Sequence, residues 1–230
     1  MNRKALLARG VFALAAESAV FATLLFVSAG TVLWTAGWMF IAIFFVFGLG
    51  ITLWLARKDP DLLAERISSP FQREQPLWDK VFVAAVALLF VFWLTLMSLD
   101  AVRFGWSEVP GWLRVSGALG LLLSYFIIFL TFRENAYLAP VVKLQEEQAQ
   151  GVVSTGPYRY VRDPVYSSMF LFFSGSALLL GSWWSLLLCP ALLGLLVWRT
   201  TLEDRMLKSQ LAGYDEYARN VRYRLIPHVW

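Results

Sequence analysis

Histidine and cysteine are nearly missing from this chain: its 230 residues include one of each, His228 and Cys189. A single cysteine excludes an internal disulfide framework and a multi-cysteine metal site, and a single histidine excludes a His-rich metal cluster. His228 also lies outside every apolar run, so no histidine is available as a general base within them. Charge is scarce too, at 16% of residues, where soluble domains carry nearer a quarter. Hydrophobic residues make up 59% of the chain and the mean hydropathy is +0.61. That balance describes an integral membrane protein. The net charge of +4 does not point to nucleic acid, because the basic residues flank apolar runs instead of forming one basic domain.

Six apolar segments follow one another: Val11–Ala29, Trp34–Ala56, Val81–Val102, Val115–Phe132, Val165–Leu180 and Trp183–Thr200. Several reach the ~20 residues needed to cross a hydrocarbon core. The expected fold is therefore all-α, a polytopic membrane bundle of about six helices. Gly30-Thr31 marks a tight turn between the first two, Gly181-Ser182 closes a helical hairpin between the last two, and Pro190 predicts a kink in the sixth. Asn2, Arg3, Lys4 and Arg9 before an apolar run resemble a signal peptide, but Glu17 lies within the run and it reads as a retained helix. Six spans put eighteen of the 20 basic residues on one side, with only Arg103 and Arg114 opposite. By the positive-inside rule that side is cytoplasmic and holds both termini, with the cell inner membrane as the expected location. The chain divides into a four-span region, 1–132, and a C-terminal region, 133–230, that carries the unusual residues.

Those residues are concentrated in 154–167, STGPYRYVRDPVYS, where two prolines, two arginines and an aspartate interrupt the apolar pattern. Irregular, charged backbone at a membrane surface persists where it is packed in protein or lines a cavity. The hairpin brings it beside Glu203-Asp204, on a helix expected to continue out of the membrane until Gly213, with Asp204 and Lys208 spaced to pair. The combination suits a small zwitterionic or cationic ligand. The plainer alternatives are arginines that bind lipid headgroups and a solvated acidic turn. Glu17 is a second candidate, either functional or hydrogen-bonded to a neighbouring helix. Between Arg57 and Lys80 a proline-rich loop predicts one short helix at Asp61–Ile67, and Lys143–Gln150 forms a polar stretch.

GPYRYVRDPVY, then Glu203-Asp204-x-x-Leu207 after a hairpin, then GYDEYARNVRYRLIP, resemble the membrane superfamily of isoprenylcysteine carboxyl methyltransferases and phospholipid methyltransferases from Asn135 to Pro227. The first four spans are similar in hydropathy only. The resemblance implies S-adenosylmethionine as cofactor, held by Gly156, Pro157, Tyr158, Arg162, Asp163, Pro164 and Tyr166 on one side and Glu203 and Asp204 on the other. It implies catalytic roles for Arg162, Asn135 and Glu203, no metal, and a small-molecule or lipid-like acceptor bearing a carboxylate, thiol or amine. Membrane lipids are the other expected partners. Asp163 stands where the family has histidine, and an ionised aspartate accepts but does not donate hydrogen bonds. Arg222-Tyr223-Arg224 resemble a family segment that folds over the cofactor or anchors the tail. An NADPH-dependent reductase of the sterol-reductase type, drawing on Arg159, Arg162, Arg222 and Arg224, and a non-catalytic relative are the competing readings.

Overall fold

A computed structural model describes residues 2–69, 75–135, 151–211, 213–227 and 229–230. The polar stretch Lys143–Gln150 and the positions of Pro70, Arg73 and His228 lie outside the described residues.

Each apolar segment forms a helix: α1 (Arg3–Ala29), α2 (Thr35–Lys58), α4 (Leu77–Ser98), α5 (Gly111–Glu134), α6 (Pro164–Leu180) and α7 (Trp183–Gln210). The short helices α3 (Pro60–Arg66) and α8 (Tyr214–Asn220) sit outside the apolar runs. Five helices are long and apolar enough to cross a membrane, α4 counting with the π-helical turn Leu99–Arg103 that extends it. α6 has 17 residues and, at ~1.5 Å per residue, reaches about 26 Å, slightly less than a hydrocarbon core. Both of its ends are set chemically. Pro164 occupies the first turn, where a missing N–H costs nothing, and Gly181 closes the helix at φ 89°. Ser182 then caps α7 by accepting from the Ser185 N–H at 3.0 Å. α7 runs past the apolar segment to Gln210, and the chain turns at Gly213 before α8, as the sequence predicts.

The bundle is tightest between α5 and α6. A Cβ on Gly117 would lie 2.7 Å from the Gly175 carbonyl oxygen, and one on Gly175 would lie 2.7 Å from the Gly117 oxygen. Only two glycines let these backbones touch, a known device of membrane helix pairs. Ser124 Oγ seals the contact by donating to the Ser168 carbonyl at 2.9 Å. The expected boundary at residue 132 falls within the last turn of α5.

Each end of the bundle carries a buried carboxylate. In the π-helical turn, Asp100 Oδ2 accepts from Ser107 and Ser182 hydroxyls, both at 2.6 Å, and ties the α6–α7 hairpin to α4. At the other end of α4, Asp79 accepts from Gln75 Nε2 at 2.8 Å and faces Arg199 Nε of α7 at 3.1 Å. Between them Trp93 Nε1 donates to the Ser185 carbonyl at 2.9 Å. α4 and α7 are therefore pinned along their length, and the ends of α5, α6 and α7 that carry the unusual residues are held in a fixed relation.

Candidate functional site

The proline-rich motif forms a 3₁₀ turn, Gly156–Arg159, entered at Gly156 with φ 57°. A side chain there would be strained, and its Cβ would collide with the Glu134 side chain. Glu134 fixes the turn from α5: its Oε2 accepts from Thr155 Oγ1 at 2.8 Å, while Oε1 pairs with Arg133 at 3.1 Å. Asn135 Nδ2 donates to the Tyr158 hydroxyl at 2.7 Å, and the Tyr217 hydroxyl of α8 donates to the Tyr158 carbonyl at 2.9 Å. Burial pushes the Tyr158, Tyr214 and Tyr217 hydroxyls upward, so they act as neutral hydrogen-bonding groups at physiological pH.

The tail lies along the start of α6. The Arg162 and Asp163 N–H groups donate to the Tyr223 and Arg224 carbonyls, both at 3.0 Å, and Ser167 Oγ donates to the Leu225 carbonyl at 2.6 Å. The Trp230 carbonyl oxygen in turn accepts from the N–H groups of Arg224, Leu225 and Ile226. Asp163, in the family's histidine position, is the N-cap of α6 and accepts from the Tyr166 N–H at 3.4 Å. Aspartate is among the best residues for that task, which gives the departure from the family pattern a structural reason.

The adjacent acids separate because consecutive helical positions point about 100° apart. Asp204 is nearly sealed from solvent. Its Oδ1 accepts from Arg162 at 2.6 Å and Tyr214 at 3.0 Å, and its Oδ2 from Arg224 at 3.1 Å, with Lys208 at 3.7 Å. Arg162 completes this link through the Arg222 carbonyl at 3.3 Å. Asp204 and Arg162 thus bind motif, tail and α7 together. Glu203 lies one helical turn after Arg199 on α7 and belongs to a charged cluster with Arg199, Asp79 and Asp163. The Arg199 guanidinium lies 4.8 Å from the Phe82 ring centre and 5.6 Å from that of Tyr166. Asp163 contributes a carboxyl that burial, and then the Glu203 charge, pushes well above the ordinary aspartate range.

The sequence therefore brings the expected residues together, but in two groups. Asp163, Tyr166 and Glu203 cluster around Arg199. Arg162 and Asp204 meet in a separate ion pair. Tyr158 and Asn135 are hydrogen-bonded to each other, and Gly156, Pro157 and Pro164 line a hollow. Sequence reasoning missed Arg199 and Asp79. Arg199 had a readable signal, an arginine at the end of an apolar run and four residues before Glu203. Asp79 had none, since its partner is 120 positions away. Arg66 and Glu17 approach the same region: Arg66 lies 4.4 Å over the Phe132 ring and interacts electrostatically with Glu17 and Tyr166.

The polytopic helical bundle sets an ion-paired, irregular motif against an acidic helix. Residues 112–212 match the family model described as phospholipid methyltransferase, within the superfamily that the motifs resemble. The match takes in α5, the fourth apolar segment, which the motif resemblance had left outside, and it stops before the tail. Comparison with curated proteins found no match.

Proposed function

We propose that the chain is an integral membrane methyltransferase that uses S-adenosylmethionine, with its site on the cytoplasmic face and a small or lipid-like acceptor. The single observation that carries the reading is the cluster of Arg199, Glu203, Asp163 and Tyr166, which gathers both signs of charge at one end of the bundle. A zwitterionic amino acid with a sulfonium matches that donor set. Glu203 and Asp163 suit its ammonium and sulfonium charges, and Arg199 suits its carboxylate. Tyr158 and Asn135 line the same end of the bundle.

The bound cofactor supplies an electrophilic methyl group. The protein's task would be to hold the methyl donor's charged groups, with Glu203, Asp163 and Arg199 as the residues placed for it, and to position and desolvate the acceptor beside it. A carboxylate acceptor arrives ionised and needs no base. A thiol or ammonium acceptor must first lose a proton, and Glu203 is our candidate base for that step. Arg199, paired with Asp79, lies one helical turn before Glu203.

The reductase alternative is weakened by geometry. Of its four proposed phosphate-binding arginines, Arg162 and Arg224 are both bound to Asp204. Isothermal titration with S-adenosylhomocysteine tests the proposal. Wild type is expected to bind, and Glu203→Ala to bind at least roughly tenfold more weakly, the loss of one charge-assisted contact. No binding by wild type, or equal binding by the variant, overturns it.

A further inference from the structure

A hollow of about 470 Å³ is lined by the end of α5, the proline-rich motif, the start of α6 and the tail, and by neither Glu203 nor Arg199. Its walls are apolar: Ile127 and Leu130 of α5, Val161, Pro164, Leu225 and Pro227. Ile127, Leu130 and Arg133 are three residues apart and form one stripe on the last two turns of α5. The apolar part therefore sits where α5 leaves the hydrocarbon, and Arg133 marks its polar edge. A second hollow of about 230 Å³ adjoins it, sharing Arg159, Tyr160 and Pro227 and adding Asn220, Arg222 and Tyr223. Tyr160 is 69% exposed at the junction, the place in a membrane protein where an amphipathic ring is favoured.

The charge is one-sided. Among the described residues, neither Arg159 nor Arg222 has a carboxylate partner, whereas Arg162 and Arg224 nearby are held by Asp204. Two exposed guanidinium groups therefore flank a polar hollow that continues into an apolar one. A free guanidinium pair recognises phosphate through paired N–H donors, and the apolar extension has no use for a soluble anion.

We propose that the two hollows form a site for one anionic phospholipid, with an acyl chain against Ile127 and Leu130 and its phosphate between Arg159 and Arg222. A zwitterionic lipid would bring its own ammonium to the same arginines and gain less. The site does not depend on the methyltransferase reading, although Gly156, Pro157 and Pro164 form its inner wall and join it to the motif.

Native mass spectrometry of the full chain tests this after extraction from nanodiscs containing equal phosphatidylglycerol and phosphatidylcholine. One phosphatidylglycerol is expected to be retained with roughly tenfold preference, the scale of one charge-assisted hydrogen bond. Arg159→Ala with Arg222→Ala, both at exposed positions, is expected to abolish the preference while leaving the melting temperature unchanged. Leu130→Trp, which fills the apolar hollow, is expected to abolish retention itself. Equal retention of the two lipids by wild type, or an undiminished preference in the double variant, overturns the proposal. Displacement of phosphatidylglycerol by excess inorganic phosphate, with retention unaffected by Leu130→Trp, also overturns it by assigning the hollow to a free anion.

Discussion

Two neighbouring acids that look interchangeable in the sequence have opposite structural fates. Asp204 has both oxygens engaged by Arg162, Tyr214 and Arg224, so its removal strands two guanidinium groups. Breaking a buried pair of this kind costs about 3–5 kcal/mol. Asp204→Ala is expected to lower the melting temperature sharply, measured by thermal unfolding in detergent. Glu203→Gln leaves Arg199 paired with Asp79, so its stability is expected to stay within about 1 kcal/mol of wild type, while S-adenosylhomocysteine binding is weakened. Equal stability losses in both variants would refute the division of roles. Asp163 adds a pH dependence. Burial and the Glu203 charge raise its folded-state value above that of the unfolded chain, so the folded state holds the proton more tightly. Its contribution is complete below the ordinary aspartate value near pH 4 and is lost as pH rises through the elevated folded value. Asp163→Asn keeps the cap but cannot titrate. The wild-type melting temperature is expected to fall relative to this variant across that window, and a constant difference would refute the assignment. At this scale the sequence displayed which residues are chemically unusual, through their order and their position beside apolar runs. It did not display which way each pointed, because the partners of Asp204 and Glu203 come from four separate segments.

The helices themselves were legible because hydrocarbon requires backbone groups to be paired within each span. Gly181 and Ser182 gave the hairpin, and Asp61–Ile67 came within a residue of α3, where Asp59 caps the helix and Pro60 starts it. Pairing between helices was less legible, since small residues are common in membrane spans and only packing shows which of them touch. Gly117 and Gly175 do touch, and each new Cβ would meet main-chain atoms that cannot rotate away. Gly175→Val is therefore expected to force α5 and α6 apart and cost about 1–3 kcal/mol. Because α5 carries Glu134 and Asn135 and α6 begins at the motif, S-adenosylhomocysteine affinity is expected to fall with stability in a thermal-shift titration. Gly194 has open space around it, and Gly194→Ala is expected to leave affinity unchanged and stability unchanged or slightly raised. An equal loss at both positions would refute close packing as the cause.

At the scale of the whole molecule, charge and chemistry coincide. Among the described residues, sixteen of the 18 basic residues belong to the end that carries the motif, the tail and Glu203, while Arg103 and Arg114 lie at the hairpin end. There they are used locally: Arg114 Nε donates to the Val109 carbonyl at 3.1 Å, and both arginines crowd the turn glycines Gly181 and Gly30. They hold turns together and do not extend the basic face. The charge asymmetry can be counted from the sequence, whereas the local use of these two arginines required the turns to be folded. The asymmetry predicts an orientation. Cys189 is buried, so thiols introduced at exposed loop positions report alone. Trp106→Cys, at a site 59% exposed on the hairpin end, is expected to react with a membrane-impermeant maleimide in spheroplasts. Ser69→Cys, exposed after α3 at the opposite end, is expected to react only after lysis. The reverse pattern would put the Glu203 cluster outside the cell, away from the cytoplasmic supply of its proposed cofactor, and both the orientation and the function would fall together.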